Sequence, residues 1–225
     1  MIVIVRAATA AAAVLALSLP ATTAHAAAGE RAAAQVLPIG VAVTALRVAV
    51  EDRTGYQRTS FKHWNRGDLP ADGCNTRQEV LLAEAVDYPV IGPGCTLAGG
   101  LWVSYYDEVS VTDAGRLDID HMVPLAEAWD SGASAWTAQR REAYANDQGA
   151  AASLVAVTAA SNRSKGDKDP FEWLPPSPEA LCRYGAEWTA TKLRWGLAVD
   201  EAERDRLLDI AAGCDGTDVE FTPAW

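Results

Sequence analysis

The alternation of apolar and polar residues predicts strands in the middle of the chain and helices around them. Strand-like alternation with β-branched and aromatic residues occurs in LWVSYYDEVSV at 101–111 and RLDIDHMVPL at 116–125. SLVAV at 153–157 predicts another strand, and TAASNRSK at 158–165 predicts one or two helical turns. This mixture predicts an α+β fold with a small antiparallel sheet and peripheral helices. The remaining predicted helices are VAVTALRVAV at 41–50, TRQEVLLAEAV at 76–86 and TAQRREAYAND at 137–147.

The C-terminal part of the chain predicts a helical hairpin. Ser177-Pro178 has the composition of a helix start, with Ser as N-cap and Pro in the first turn, and this helix would end at Gly196. Asp200 would cap a second helix, with Glu203 placed as in a capping box. The two helices would then lie antiparallel about a short turn.

Four cysteines occur in the chain, and an even number in an exported protein suggests two disulfides. Cys182 and Cys214 lie at equal distances from the predicted hairpin turn and should face each other. That pairing leaves Cys74 with Cys95. There are no CxxC pairs of the kind that bind zinc, so we expect no structural zinc.

The N-terminus predicts export of the chain. Residues 1–26 combine a basic residue, an interrupted apolar run and Ala24-His25-Ala26, as expected of a cleaved signal peptide. Cleavage would leave 225 − 26 = 199 residues, 27–225, which we interpret as one secreted domain with no membrane association and as a monomer. The net charge of −11 argues against long-range attraction to nucleic acid.

Chemistry is concentrated in DIDH at 118–121. Alternation places Asp118 and Asp120 on one face of a strand, beside His121. A neutral imidazole can accept a proton from water, and a carboxylate can bind a divalent cation. Together they supply what hydrolysis of a phosphodiester requires.

The wider sequence resembles a known family of nucleases. DIDHMVP, an Asn in YAND, and a strand that leads into SNRSK resemble HNH nucleases, the ββα-metal or His-Me finger group. The run from DIDHMVPLAEAWDSGA to NRSKGDKDPFEWLPP resembles exported bacterial HNH proteins related to the domain of unknown function 1524. The resemblance implies an HNH-type nuclease domain over residues 27–225, with a ββα-metal core at about 92–176.

The resemblance also implies roles for individual residues. His121 corresponds to the general base and Asn146 to the Asn that helps orient it. Asp120 and Asn162 correspond to metal ligands, although Asn162 could simply begin a helix. Other candidates follow from position. Arg163 and Lys165 would contact substrate phosphates, and Asp118 would support the ligands, be an extra ligand itself or be a solvated strand residue.

The sequence therefore predicts a secreted phosphodiesterase that needs Mg²⁺, with Mn²⁺ as a substitute. DNA is the expected substrate, with RNA as an alternative. Two other hypotheses remain open. The chain could be a catalytically inactive binding or structural module with an HNH-like fold, or a toxin-like nuclease held by an immunity protein.

Overall fold

The computed structural model describes residues 33–69 and 71–224, so the predicted signal peptide at 1–26 lies outside the described residues. The chain forms short helices and short, mainly antiparallel strands, which confirms the α+β prediction. In the described ranges, none of the helices has both the length and the apolar character needed to cross a bilayer. The helices are α1 Ile39–Ala45, α2 Thr76–Ala83, α3 Leu125–Asp130, α4 Ala138–Ala145, α5 Ala159–Lys165, α6 Leu181–Trp195 and α7 Glu201–Ala212.

The strands form separate two-stranded pairs instead of one small sheet. The pairs are antiparallel except for β2 with β9, which run parallel. In chain order the strands are β1 Gln35–Pro38, β2 Arg47–Val48, β3 Val90–Gly92, β4 Thr96–Ala98, β5 Trp102–Ser104, β6 Val109–Val111, β7 Leu117–His121, β8 Leu154–Thr158, β9 Ala198–Val199 and β10 Asp218–Phe221. They pair as β1 with β10, β2 with β9, β3 with β4, β5 with β6, and β7 with β8.

Two predicted helices are shorter than the sequence pattern indicates. The helix predicted for 41–50 stops at Ala45, because Arg47–Val48 pairs with β9 as strand β2. The helix predicted for 76–86 stops at Ala83. In both places, contacts with residues far away in the sequence determine where the helix ends. The local sequence pattern does not predict such contacts.

The β7–β8 pair lies between two hydrophobic clusters. Leu117 and Ile119 of β7, with Leu154 of β8, pack in the cluster that contains α2 and β5 side chains. Val155 and Val157 of β8 belong to the larger cluster, which α1, α6 and α7 also line. All five residues of β8 are buried. Burial on both faces explains why this strand is a continuous apolar run and why β7 is held firmly in place.

The helical hairpin is present as α6 and α7, and its disulfide is formed. Cys182 and Cys214 are bonded with a Cα–Cα distance of 5.4 Å, and Cys74 and Cys95 with one of 5.1 Å. Both predicted pairings are therefore confirmed. Each bridge closes a loop and so restricts the unfolded chain.

The predicted helix caps are confirmed only in part. Asp200 accepts a hydrogen bond from the backbone N–H of Glu203 at 2.7 Å, as expected of an N-cap. The Glu203 side chain, however, accepts from Lys192 at 2.6 Å instead of completing a capping box. Ser177 does not cap a helix, because a single 3₁₀ turn at Pro178–Ala180 precedes α6 and the Ser177 hydroxyl contacts acidic side chains.

A buried lysine joins three of the helices. Lys192 of α6 has no solvent exposure and donates to Glu127 of α3 at 2.8 Å and to Glu203 of α7 at 2.6 Å. Its ammonium also donates to Ser131 and to the carbonyl of Ala198. Breaking such a pair would leave a buried charge without compensation, so this network fixes the relative positions of the helices.

Candidate active site

Two antiparallel strands and one helix carry the predicted site residues. In the β7–β8 pair, Asp120 lies opposite Val155 and His121 opposite Leu154. Helix α5 follows β8 directly, and Thr158 caps it by accepting a hydrogen bond from the N–H of Ser161 at 3.3 Å. Strand β7 and helix α5 are thereby adjacent, although they lie far apart in sequence.

Asp118 and Asp120 share the face of β7 that contacts α5, as the alternation predicts. Asp118 Oδ2 accepts from Asn162 Nδ2 and from Arg163 Nε, both at 3.3 Å. Asp120 Oδ2 accepts from Lys165 Nζ at 2.5 Å. The two carboxylates of β7 therefore contact different residues of α5.

Asp120 is held through one carboxylate oxygen. It is 5% exposed, and its Oδ2 accepts from the hydroxyl of Tyr106 at 2.6 Å as well as from Lys165. Burial raises the pKa of Asp120, and the charge and hydrogen bond of Lys165 oppose that increase. Oδ1 makes no hydrogen bond with the described residues, while Asp120 lines a cavity. One oxygen thus fixes the side chain, and the other is available to a ligand.

Lys165 does not fit the phosphate-contacting role that the sequence suggests. Its side chain has 0% exposure, and its ammonium donates to Asp120, to the carbonyl of His121 at 3.1 Å and to that of Met122 at 2.8 Å. Three bonds satisfy all three donors of an ammonium. Burial lowers the pKa of Lys165, and Asp120 opposes this effect. Lys165 is therefore the buried counter-ion of Asp120, and we assign it no contact with substrate.

Asn162 and Arg163 lie at the surface end of the same arrangement. The Asn162 side-chain nitrogen donates to Asp118, and its side-chain oxygen forms no hydrogen bond with any residue that the structure describes. Asn162 and Arg163 both line the cavity, and Arg163 is 75% exposed. Asp118 thus bonds to both side chains through one carboxylate oxygen.

His121 is buried and is held by one ring nitrogen. Its Nε2 lies 2.9 Å from the carbonyl oxygen of Ala145. A carbonyl only accepts, so Nε2 carries the proton and Nδ1 is the basic nitrogen. The ring is stacked against Trp64 with 5.5 Å between ring centroids. Burial lowers the pKa of His121 to about 3, so the imidazole is unprotonated at neutral pH.

Asn146 acts at a distance from the cavity that contains His121. Its Oδ1 accepts from the N–H of Asn65 at 2.9 Å and from Thr76 Oγ1 at 3.1 Å. Its Nδ2 donates to the carbonyls of Lys62 and Glu142. Three of these bonds join the end of α4 to the segment at 62–76, and the fourth lies within α4. Asn146 therefore lies one residue from the carbonyl of Ala145 that holds His121, and it does not line the cavity.

One cavity of about 200 Å³ brings together four of the predicted site residues, Asp120, His121, Asn162 and Arg163. It also contains Arg58 and Asp167, which the sequence analysis did not single out. Arg58 belongs to a 3₁₀ turn at Arg58–Ser60, and Asp167 forms an ion pair with Arg53 at 3.6 Å. No local motif marks Arg58, since only tertiary packing carries its segment to β7. The lining residues are Arg58, Ile119, Asp120, His121, Pro124, Leu125, Asn162, Arg163, Gly166 and Asp167.

Trp64, which packs on His121, has an unusual backbone conformation. Its φ of 59° lies in the left-handed region, which costs a non-glycine residue energy. His63 also lies edge-on to His121 at 6.1 Å. The 63–64 dipeptide therefore forms one wall around the imidazole.

A larger cavity of about 490 Å³ is lined by neither Asp120 nor His121. It includes Asn146 and the ion-paired Arg194 and Asp147, whose charges already satisfy each other. We take the smaller cavity as the candidate active site. It is lined by a base, His121, and by Asp120 and Asn162, whose side-chain oxygens could bind a metal ion.

The donor set at the smaller cavity fits a hard divalent cation. Asp120 supplies a carboxylate oxygen and Asn162 an amide oxygen, and Mg²⁺ prefers few protein oxygens with water in its remaining positions. Within the described residues, groups of three closely spaced carboxylates occur around Glu51 and include neither Asp120 nor Asn162.

Comparison with known proteins identifies a nuclease-related family. Residues 95–210 match the model of the C-terminal domain of GmrSD restriction endonucleases. This range contains β7, β8 and α5. No solved structure matches the chain.

A fungal relative is also similar over most of the chain. An uncharacterized secreted protein of Arthroderma benhamiae is 39% identical over 161 residues, which are 71% of this chain and 76% of the relative. Its description as secreted and the two disulfides agree with the prediction that this chain is exported. The match does not confirm a bacterial origin, which the resemblance to exported bacterial proteins implied. The chain belongs to the family of GmrSD restriction endonuclease C-terminal domains.

Proposed function

We propose that the protein is a secreted, metal-dependent endonuclease of the HNH, or His-Me finger, type that hydrolyses phosphodiester bonds in nucleic acid. The observation that carries this proposal is the placement of Asp120, Asn162 and His121 around one cavity, on β7 and α5. The nuclease-related family supports the reaction class. The resemblance implies products with 5′-phosphate and 3′-hydroxyl ends.

In the proposed reaction, His121 is the general base and the backbone orients it. His121 Nδ1 accepts a proton from a water molecule as the oxygen of that water attacks phosphorus. The bond from phosphorus to the 3′ oxygen breaks, and the 3′ oxygen takes a proton from solvent to become the 3′-hydroxyl. The carbonyl of Ala145 keeps the imidazole in the required tautomer. Burial disfavours the imidazolium, and the negative charge of a bound phosphodiester would offset this effect.

Asp120 and Asn162 would hold Mg²⁺ through Oδ1 of each side chain. When bound, the cation supplies a positive charge that stabilises the pentavalent transition state and the leaving oxygen. Tyr106 and Lys165 fix Asp120 through Oδ2, while Asp118 orients Asn162. The ligands are thus positioned before a cation arrives, which reduces the cost of organising the site.

Local charge offsets the acidity of the chain. The net charge is −11, yet the cavity presents the guanidinium groups of Arg58 and Arg163. Asp120 is paired with Lys165 and Asp118 with Arg163, while Arg53 is shared between Asp130 and Asp167. The two guanidinium groups, together with a bound divalent cation, would give the phosphates of a polyanion local positive partners.

The test is nicking of supercoiled plasmid by the purified, oxidised protein with Mg²⁺, with Mn²⁺ and with EDTA. The proposal predicts nicking with either cation and none with EDTA. Asn162→Ala should raise the Mg²⁺ concentration required for half-maximal nicking, whereas Asn65→Ala offers a control outside the cavity. Failure to cleave DNA and RNA with either cation would support the inactive binding module, which the acidic composition favours.

A further inference from the structure

We propose that Arg58 is a substrate-binding residue, which contacts a phosphate group of the nucleic acid in the cavity beside His121. This inference rests on the proposed nuclease function and assigns a residue that the sequence motif does not contain. Arg58 lies in the N-terminal part of the chain, outside the matched family range of 95–210.

The position of Arg58 is set by a rigid turn. The carbonyl of Arg58 accepts from the N–H of Phe61 at 3.1 Å, and that of Gln57 from Ser60 at 2.8 Å. Phe61 is 1% exposed and packs edge-on against Trp129 and Tyr144. The turn is therefore anchored in the larger hydrophobic cluster, while the Arg58 side chain is exposed at the cavity.

Arg58 differs from the neighbouring cations in its partners. Arg163 bonds to Asp118, Lys165 to Asp120 and Arg53 to Asp130. Among the described residues, Arg58 forms no ion pair, and its guanidinium interacts with the phenol of Tyr56. A cation that is not neutralised, in a cavity built for phosphodiester chemistry, is available to bind an anion.

Arg58 also lies within electrostatic reach of the His121 imidazole. A phosphate between these two groups would contact the guanidinium and lie beside the base at the same time. Arg58 lies in the 58–60 turn and Arg163 in α5. Because these segments are separate, the two side chains would contact the substrate from different parts of the cavity wall. The guanidinium fork can bind two phosphate oxygens at once, which a lysine cannot do.

The test measures binding of a fluorescent single-stranded 12-nucleotide DNA across a range of salt concentrations. All proteins carry His121→Ala to prevent cleavage, and Mg²⁺ is present throughout. Loss of one phosphate contact should reduce the slope of log K against log salt by about 0.7 and weaken binding about 10- to 100-fold. Arg58→Lys should keep the slope and recover only part of the affinity. Arg204→Ala is the matched control, because it removes the same charge from α7, where Arg204 contacts only the neighbouring Asp205.

The expected result is a lower slope for Arg58→Ala alone, with an unchanged melting temperature and unchanged Mg²⁺ binding by calorimetry. With His121 restored, the same variant should raise KM for plasmid more than it lowers kcat. An unchanged slope and KM in Arg58→Ala, in a protein that cleaves plasmid, overturns the assignment of Arg58 but leaves the nuclease proposal standing. A parent that neither binds the oligonucleotide nor cleaves plasmid overturns both.

Discussion

Replacing Lys165 with methionine tests whether this lysine is structural. The substitution keeps an unbranched apolar side chain about as long as the aliphatic part of lysine but removes three hydrogen bonds, to Asp120 and to the carbonyls of His121 and Met122. It leaves Asp120, which is 5% exposed, without its counter-ion. Breaking a buried pair in this way costs about 3–5 kcal/mol of unfolding free energy.

Urea unfolding followed by the fluorescence of the eight tryptophans measures this loss. Arg163→Met is the matched control, because its ion pair is exposed and should contribute less than about 1 kcal/mol. Adding Asp120→Asn to Lys165→Met should recover about 2 kcal/mol, since no buried charge then remains. The reasoning would be refuted if Lys165→Met kept the stability of the parent and only raised KM for DNA, because Lys165 would then reach the substrate.

Three further perturbations have defined outcomes. Asp118→Ala should raise the Mg²⁺ concentration for half-maximal nicking about 10- to 100-fold, because Asn162 loses its orientation; an unchanged titration would contradict this role. Burial raises the pKa of Glu84 to about 7, so its folded form retains a proton that the unfolded chain loses above 4.5. The unfolding free energy of the parent should therefore fall by about 3 kcal/mol relative to that of Glu84→Gln as the pH rises from 4.5 to 7. If urea unfolding gives a difference in free energy that is the same at both pH values, the prediction is refuted. Replacing Cys182 and Cys214 with serine should lower unfolding free energy by about 3–4 kcal/mol, because the bridge spans 32 residues; equal urea midpoints would contradict this.

Local sequence predicts the strand–strand–helix unit well because its determinants are local. Alternation in 116–125, an apolar run in 153–157 and polar helical turns in 158–165 predict β7, β8 and α5, although β7 already ends at His121. The disulfides follow from the hairpin geometry. Pairings between distant segments, such as β2 with β9, leave no comparable local signal.

The candidate site is predictable to a smaller extent. Asp120, His121 and Asn162 are found because they stand in a motif, and the structure brings them to one cavity. Lys165 is placed wrongly, since its neighbours in sequence do not reveal that its side chain points inward to Asp120. Arg58 is missed because only the packing of Phe61 carries it to the cavity.

The central claim is that His121 is the base of a metal-dependent nuclease. Its most direct test is the initial rate of plasmid nicking at saturating Mg²⁺, measured for the parent and for His121→Ala, with circular dichroism to show that both are folded. The account predicts a rate lower by about 10²- to 10⁴-fold in the variant, as is usual for loss of a general base. A folded His121→Ala protein that nicks at the rate of the parent would contradict it.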